Sequence, residues 1–169
     1  TEDDIKKRIN QLAEQLVEDY RGEELCIISI LRGAAVFVAD LTRRLDGLNF
    51  HLDFLVLSRG PLGKAGEVKI IKDLDYSIYQ KNVLIIEDMI DMGESVYYVN
   101  QVLKLREPKS IKICTLFDKP YHRTLPINID YVGFVLPDSF VVGYGLDYHQ
   151  KYRNLPFVGT LNPKLLPTR

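Results

Sequence analysis

The stretch KNVLIIEDMIDMGESV at 81–96 constrains the fold of this chain more than any other. Residues 83–86 form a short apolar run, which is typical of a strand buried on both faces of a sheet. Glu87 and Asp88 follow where such a strand is expected to end, and a helical pattern begins after Gly93. Ligands of open parallel sheets bind at the carboxyl ends of the strands. The stretch therefore predicts a ligand site that combines acidic side chains with the amino terminus of a helix.

The rest of the chain alternates apolar runs with segments of helical periodicity. This alternation predicts an α/β fold with a central, mostly parallel twisted sheet and flanking helices. A length of 169 residues predicts a single domain, 1–169. The expected helices are 2–20, 34–45 and 94–105, and the expected strands are 25–30, 50–57, 67–71, 82–86, 110–117, 131–135, 141–144 and 157–161.

Residues 58–66 differ from their surroundings because they contain three glycines and a proline. Such a composition predicts a flexible segment with little regular structure. A strand pattern lies on each side of it, so the segment is interpreted as a flap that begins at Ser58 and Arg59.

The composition argues against several classes of protein. The net charge of −1 provides no general attraction to nucleic acid or to an anionic membrane. No run approaches the roughly 18 apolar residues of a membrane span, and residues 1–20 lack the apolar core of a signal peptide, so a cytoplasmic location is expected. Cys26 and Cys114 lie inside apolar runs and are interpreted as buried strand thiols.

The segment Asp91 to Ser95 is a candidate phosphate site. Successive backbone N–H groups that enter a helix form an anion cradle, and Gly93 allows a close approach. The alternative is an ordinary capped turn between a strand and a helix. The adjacent Glu87 and Asp88 suit Mg²⁺ or sugar hydroxyls, or they are simply solvated. The absence of G-x-x-x-x-G-K-[ST] and G-x-G-x-x-G argues against a P-loop nucleotidase and a dinucleotide dehydrogenase.

Five separated segments carry a resemblance to a known family. VLIIEDMIDMGES strongly resembles the phosphoribosyl pyrophosphate signature of the type I phosphoribosyltransferases, a hydrophobic strand followed by Glu-Asp, two apolar residues and Asp-Thr-Gly-x-Thr. LFDKP at 116–120 and LPDSFVVGYGLDYHQKYRNLPFVG at 136–159 look like the purine-binding half of hypoxanthine-guanine phosphoribosyltransferases. AGEVK at 65–69 and LRGAAVFVADL at 31–41 are also similar. The resemblance implies a Rossmann-like core of about 20–135 and a purine-binding hood of about 136–169, completed by the N-terminal segment.

The family resemblance implies a purine salvage reaction. Its members move the phosphoribosyl group from phosphoribosyl pyrophosphate to N9 of hypoxanthine or guanine, giving IMP or GMP and pyrophosphate, with Mg²⁺. The implied partners are phosphoribosyl pyrophosphate, 6-oxopurine bases and purine nucleotide monophosphates, and the implied assembly is a homodimer or homotetramer. Two alternatives stay open: a weakly active or non-catalytic nucleotide-binding homologue with a regulatory role, and a transferase that prefers xanthine.

The resemblance also assigns roles to individual residues. Asp91 would act as general base or acid at the purine N7, and Lys119 would donate to the exocyclic O6. Phe140 would stack on the purine, and the backbone of Val141 would read its edge. The implied groups are the phosphoribosyl and 5′-phosphate site (Glu87, Asp88, Asp91, Met92, Gly93, Glu94, Ser95), the pyrophosphate site with a non-proline cis peptide (Arg32, Gly33, Arg153), the purine site (Lys119, Phe140, Val141, Asp147), the flap (Ser58, Arg59) and the Mg²⁺ ligands (Glu87, Asp88, Asp147).

Four residues depart from the family pattern. Met92 stands in place of the usual threonine, which removes a hydroxyl donor from the phosphate loop. Glu94 adds a negative charge beside the expected 5′-phosphate. Arg59 replaces a tyrosine, and Arg32 replaces a common lysine, which keeps the charge but changes the donor geometry.

Overall fold

A six-stranded sheet with helices on its faces organises the protein. The structure is a computed structural model and describes residues 1–59, apart from the side chain of Arg59, and residues 68–162. Across the sheet the strand order is β3-β2-β1-β4-β5-β6, and every neighbouring pair is parallel except the antiparallel β2 and β3. The strands are β1 (Glu24–Leu31), β2 (Asn49–Arg59), β3 (Val68–Lys72), β4 (Asn82–Ile90), β5 (Ser110–Asp118) and β6 (Tyr131–Val135).

Three helices and a small second sheet complete the described fold. The helices are α1 (Glu2–Asp19), α2 (Ala35–Thr42) and α3 (Glu94–Lys104), and a short 3₁₀ turn covers Pro120–His122. The second sheet is antiparallel and consists of β7 (Val141–Val142) and β8 (Gly159–Thr160). This arrangement confirms the predicted α/β class with a mostly parallel sheet. No helix in the described ranges is long and apolar enough to cross a membrane.

Strand β4 separates two hydrophobic cores. Its side chains alternate in direction, as in any strand, so Leu84 and Ile86 join the core under α1 and α2. Val83 and Ile85 join the core under α3 on the other face. All four side chains are fully buried. The apolar run is therefore continuous because both faces of this strand are covered.

Helix α1 packs on the first core through one apolar stripe. Thr1 begins the helix with a capping box, in which its hydroxyl accepts from the Asp4 amide and the Asp4 carboxylate accepts from the Thr1 backbone. Ile5, Ile9 and Leu12 recur at helical spacing and are buried. The cap fixes the start of the helix, and the apolar stripe fixes the face that meets the sheet.

Two strands are longer than the sequence predicts. β4 continues to Ile90, since Glu87 and Met89 pair with Thr115 and Phe117 of β5. Glu87 and Asp88 thus lie within the strand and not after its end, which corrects the sequence-based boundary. β4 can continue because β5 runs to Asp118, one residue further than expected, and its backbone pairs with β4 up to Ile90.

The beginning of the expected flap is a strand. β2 runs to Arg59, and Ser58 and Arg59 pair with Lys69 and Val68 of β3. The prediction that regular structure ends before Ser58 is therefore wrong, because the antiparallel neighbour β3 satisfies the backbone of these residues. The rest of the predicted flap lies outside the described residues.

The strands predicted near the C-terminus are shorter than expected. The strand predicted at 141–144 ends at Val142, because Gly143 and Tyr144 have left-handed backbone with φ of 103° and 52°. Of the predicted strand 157–161, only Gly159–Thr160 pairs with β7. Residues 136–162 are therefore mostly loop, which the small sheet of β7 and β8 holds together.

The packing of α1 gives a direct stability prediction. Leu12→Ala removes a fully buried side chain from the first core, and we expect it to lower the free energy of unfolding by about 2–5 kcal/mol. Leu105→Ala is the matched control, since Leu105 is 85% exposed, and its effect should stay within about 0.5 kcal/mol. Urea denaturation measures both. Equal losses in the two variants would contradict the assigned core.

Candidate active site

A cleft of about 520 Å³ opens where β1, β4 and β5 end and the loops after β7 fold back. A smaller cavity of about 210 Å³ adjoins it and shares Glu87, Asp91 and Ser95 with it. Met92, Gly93 and Glu94 line only the smaller cavity. Ser58 is not among the described residues that line either space. The other predicted site residues that line the larger cleft are Arg32, Gly33, Asp88, Lys119, Phe140, Val141, Asp147 and Arg153.

Gly33 lies tightly between two other parts of the site. A Cβ atom at Gly33 would be 1.7 Å from Oδ2 of Asp88. A Cβ atom at Gly145 would be 2.2 Å from the Gly33 carbonyl oxygen. The Leu31–Arg32 peptide bond before it is cis, as the resemblance implies for this loop. Glycine at 33 and 145 therefore allows the loop after β1 to pack between β4 and the loop after β7.

Asp88 is a half-buried carboxylate that accepts a hydrogen bond from the backbone. Its Oδ1 accepts from the Met89 amide at 2.9 Å. Burial raises the pKa of Asp88 from its ordinary value of 3.8 to about 6, and nearby Asp147 adds to the rise while Arg153 opposes it. At neutral pH this carboxylate is ionised but poorly solvated. Such a group attracts a cation or a hydroxyl donor.

Asp91 and Lys119 form an ion pair across the cleft. Lys119 Nζ lies 3.3 Å from Oδ2 of Asp91, and the lysine is 7% exposed. The other carboxylate oxygen, Oδ1, is buried and has no hydrogen-bond partner within the described residues. One oxygen of Asp91 is thus held by a cation, and the other is available to a ligand.

The turn between β4 and α3 has the features of an anion cradle. Gly93 is the N-cap of α3 with φ of 82°, and no side chain caps this end. The first backbone N–H groups of a helix have no partner within the helix, and the helix dipole makes this end positive. Met92 is 50% exposed and brings no hydroxyl, whereas Ser95 is buried in the first turn. The donors that this turn can offer to an anion are therefore its backbone N–H groups, with the Ser95 side chain beside them.

The segments on either side of β7 bring three further predicted residues to the cleft. Arg153 donates to the Gly145 carbonyl at 2.6 Å and pairs with Oδ1 of Asp147 at 2.7 Å. Oδ2 of Asp147 accepts from the Gln150 amide at 2.8 Å. Phe140 is 42% exposed at the mouth of the cleft. An aromatic face and an arginine–aspartate pair are therefore presented to the same space as Asp91.

Sequence reasoning missed Arg123, which lies behind this site. Its side chain donates to the backbone carbonyls of Ile90 and Asp91 and pairs with Asp118. Nothing in the spacing of LFDKPYHRT distinguishes it from a surface cation. Its role becomes visible only when the loop after β5 folds against the end of β4.

The raised pKa of Asp88 predicts a stability effect. Because the folded-state pKa is about 6 and the ordinary value is 3.8, ionisation costs stability as the pH rises from about 4 through 6. We expect Asp88→Asn to be more stable than the natural protein at pH 7.5 by about 1–3 kcal/mol, because a neutral amide loses less on burial. The gain should shrink toward pH 4. Thermal unfolding between pH 4 and 8 measures it, and a gain independent of pH would contradict this cause.

Comparison with known proteins identifies the family. The model of the phosphoribosyl transferase domain matches residues 2–149. The chain is 49% identical over 164 residues to hypoxanthine phosphoribosyltransferase of Buchnera aphidicola subsp. Schizaphis graminum, covering 94% of this chain and 92% of that protein. It is 46% identical over 167 residues to hypoxanthine-guanine phosphoribosyltransferase of Staphylococcus aureus, covering 98% and 93%.

The fold agrees with the sequence comparison. The crystal structure of a hypoxanthine phosphoribosyltransferase from Staphylococcus aureus matches with a TM-score of 0.94 and 45% identity, covering 99% of this chain and 92% of that one. Family model, sequence relatives and fold agree over nearly the whole chain. The chain therefore belongs to the type I phosphoribosyltransferase family, among the hypoxanthine-guanine phosphoribosyltransferases.

Proposed function

We propose that this protein transfers the phosphoribosyl group from phosphoribosyl pyrophosphate to N9 of hypoxanthine or guanine and releases pyrophosphate. One observation carries the proposal: Asp91 has a buried oxygen beside Lys119 that has no partner among the described residues, at the point where β4 leads into the anion cradle of α3. A proton acceptor, a cation and a phosphate site thus adjoin one cleft. The names of the relatives agree with this reaction.

Phosphate and ribose bind along the floor of the cleft. The backbone N–H groups of 91–95 receive the 5′-phosphate, with Ser95 adding its side chain to the first turn of α3. Glu87 and Asp88 face the ribose hydroxyls. Arg32 and Arg153 supply the positive charge that stabilises the departing pyrophosphate.

The base binds between Lys119 and the loop carrying Phe140. Lys119 donates to O6 of a 6-oxopurine. A donor at this position disfavours adenine, because the 6-amino group of adenine is itself a donor. Phe140 provides an exposed aromatic face for stacking, and buried Val141 presents its backbone to the edge of the base. The cleft therefore selects the 6-oxo group by hydrogen-bond polarity.

Proton transfer accompanies bond exchange at C1′ of the ribose. The bond from C1′ to the pyrophosphate oxygen breaks, the bond from N9 to C1′ forms, and the purine N7 proton moves to Oδ1 of Asp91. Lys119 donates to the other oxygen of Asp91 and so holds the carboxylate in place. Residues of the flap, which lie mostly outside the described ranges, are proposed to exclude water from the reacting centre.

Mg²⁺ is the proposed metal, and the acidic residues fit it. Within the described residues no group of three or more His, Cys, Asp or Glu side chains could hold a metal by itself. Mg²⁺ in phosphate sites uses one or two carboxylates together with substrate oxygens, so a complete protein cage is not required. The poorly solvated Asp88 carboxylate, with Glu87 and Asp147 near it, suits such a cation. Bound there, Mg²⁺ would neutralise charge on the pyrophosphate.

The proposed domain of this protein has two parts. The core covers about 20–135, and the hood covers about 136–169 with the N-terminal segment. We propose a homodimer or homotetramer in the cytoplasm, on the basis of the family resemblance. Purine nucleotide monophosphates would then be the products that it releases.

Asp91 gives the main functional test. Pyrophosphate release is measured with phosphoribosyl pyrophosphate, Mg²⁺ and a panel of hypoxanthine, guanine, xanthine and adenine. We expect turnover with hypoxanthine and guanine, and a loss of about 10²–10⁴-fold in kcat for Asp91→Asn and Asp91→Ala. Asp46→Asn, at an exposed aspartate, is the control.

The same panel separates the alternatives. Activity that survives both Asp91 substitutions would contradict the proposed role of Asp91 in proton transfer. Tight binding of IMP with turnover near zero would favour the non-catalytic homologue. Preferred turnover of xanthine would favour the transferase that prefers xanthine. Removal of Mg²⁺ with a chelator should abolish turnover.

Lys119 tests the choice of base. Lys119→Gln replaces a buried ammonium donor, and we expect kcat/KM for hypoxanthine and guanine to fall about 10- to 100-fold while activity with adenine does not fall. Lys109→Gln is the matched control, because Lys109 pairs with Glu23 on the surface. An equal loss of kcat/KM with every base would mean that Lys119 only holds Asp91 in place and does not recognise the base.

A further inference from the structure

We infer that Arg123 is a positioning residue that orients the backbone of the phosphate loop. The inference rests on the proposed function, since it concerns how the 91–95 turn holds the 5′-phosphate. Arg123 follows the 3₁₀ turn Pro120–His122, and its side chain is mostly buried. It is not among the described residues that line either cavity, so it acts from behind the loop.

The guanidinium of Arg123 binds two consecutive carbonyls at the end of β4. Its Nη2 donates to the Ile90 carbonyl at 2.8 Å, and its Nε donates to the Asp91 carbonyl at 3.2 Å. Nη2 also pairs with the mostly buried carboxylate of Asp118. The planar fork of arginine can hold three acceptors at once, which a lysine ammonium cannot do with the same geometry.

Holding these carbonyls also sets the direction of the next N–H groups. In a trans peptide, the carbonyl of one residue and the N–H of the next point in opposite directions. With the Ile90 and Asp91 carbonyls directed to Arg123, the N–H groups of Asp91 and Met92 point away from it. The Arg123 bonds keep the Asp91 carbonyl oxygen away from an anion in the smaller cavity, and they do so for the Ile90 carbonyl oxygen together with the Lys119 amide, which donates to it at 2.9 Å.

This orientation matters more here because of Met92. A threonine at this position would bring a hydroxyl donor, whereas Met92 leaves the loop dependent on its backbone N–H groups. Gly93 fixes the other end of the loop, since a Cβ there would be 2.2 Å from Cδ1 of Ile127 and 3.7 Å from Nε of Arg123. The loop is thus supported from behind by Arg123 and Ile127.

The test compares a nucleotide with its nucleoside. Calorimetric binding of IMP and of inosine is measured for the natural protein, Arg123→Gln and Arg123→Lys, and the ratio of the two affinities isolates the phosphate. We expect Arg123→Gln to weaken IMP binding about 10- to 100-fold and inosine binding less than about 2-fold, with a smaller loss of IMP binding for Arg123→Lys. KM for phosphoribosyl pyrophosphate should rise while KM for hypoxanthine stays unchanged.

Arg106→Lys is the control, because Arg106 also pairs with an aspartate, Asp73, but does not contact the loop. If Arg123→Gln fails to fold, Arg123→Lys decides the outcome. An equal loss of IMP and inosine binding, or unchanged IMP binding in a folded variant, would overturn the inference and leave the proposed function standing. Failure of the natural protein to bind IMP would overturn both.

Discussion

The burial of β4 on both faces is the constraint on which the site depends. Two cores pack against its alternate side chains, so a shift by one residue would exchange the two apolar sets between the cores and turn Glu87 and Asp88 to the opposite faces of the sheet. Its register with β5 fixes where Glu87 lies, opposite Thr115. The carboxyl end of the same strand carries Asp88 and leads directly to Asp91 and α3. Rigid packing at one end of β4 thus places the reactive groups at the other.

The three aspartates of the cleft differ because their surroundings differ. Asp88 has a backbone donor and a pKa raised to about 6 by burial. One oxygen of Asp91 accepts from Lys119, and the other has no partner in the part of the chain that the structure describes. Asp147 has both oxygens engaged, one by Arg153 and one by the Gln150 amide. Burial of the Asp88 carboxylate costs stability at neutral pH, and its raised pKa expresses that cost.

Close backbone contacts connect the loop after β7 to the rest of the cleft. Gly145 approaches the Gly33 carbonyl too closely to carry a side chain, and Arg153 donates to the Gly145 carbonyl. The Tyr144 hydroxyl donates to Asp40 of α2, the helix that follows the Arg32–Gly33 loop. The contacts of Gly145 with Gly33 and of Tyr144 with Asp40 join residues separated by more than a hundred positions in sequence. A shift of α2 would therefore move both proposed pyrophosphate groups, Arg32 and Arg153.

The sequence by itself determined the α/β class, the approximate elements and most of the candidate site. It could do so because a doubly buried strand requires a continuous apolar run, and because the motifs at 87–95, 116–120 and 136–159 are local in sequence. Only the tertiary structure decided where β2 and β4 end, since pairing with β3 and β5 extends them. It also decided the partners of Asp91, the pKa of Asp88 and the place of Arg123. These properties depend on burial and on contacts between distant segments, which no local pattern of residues specifies.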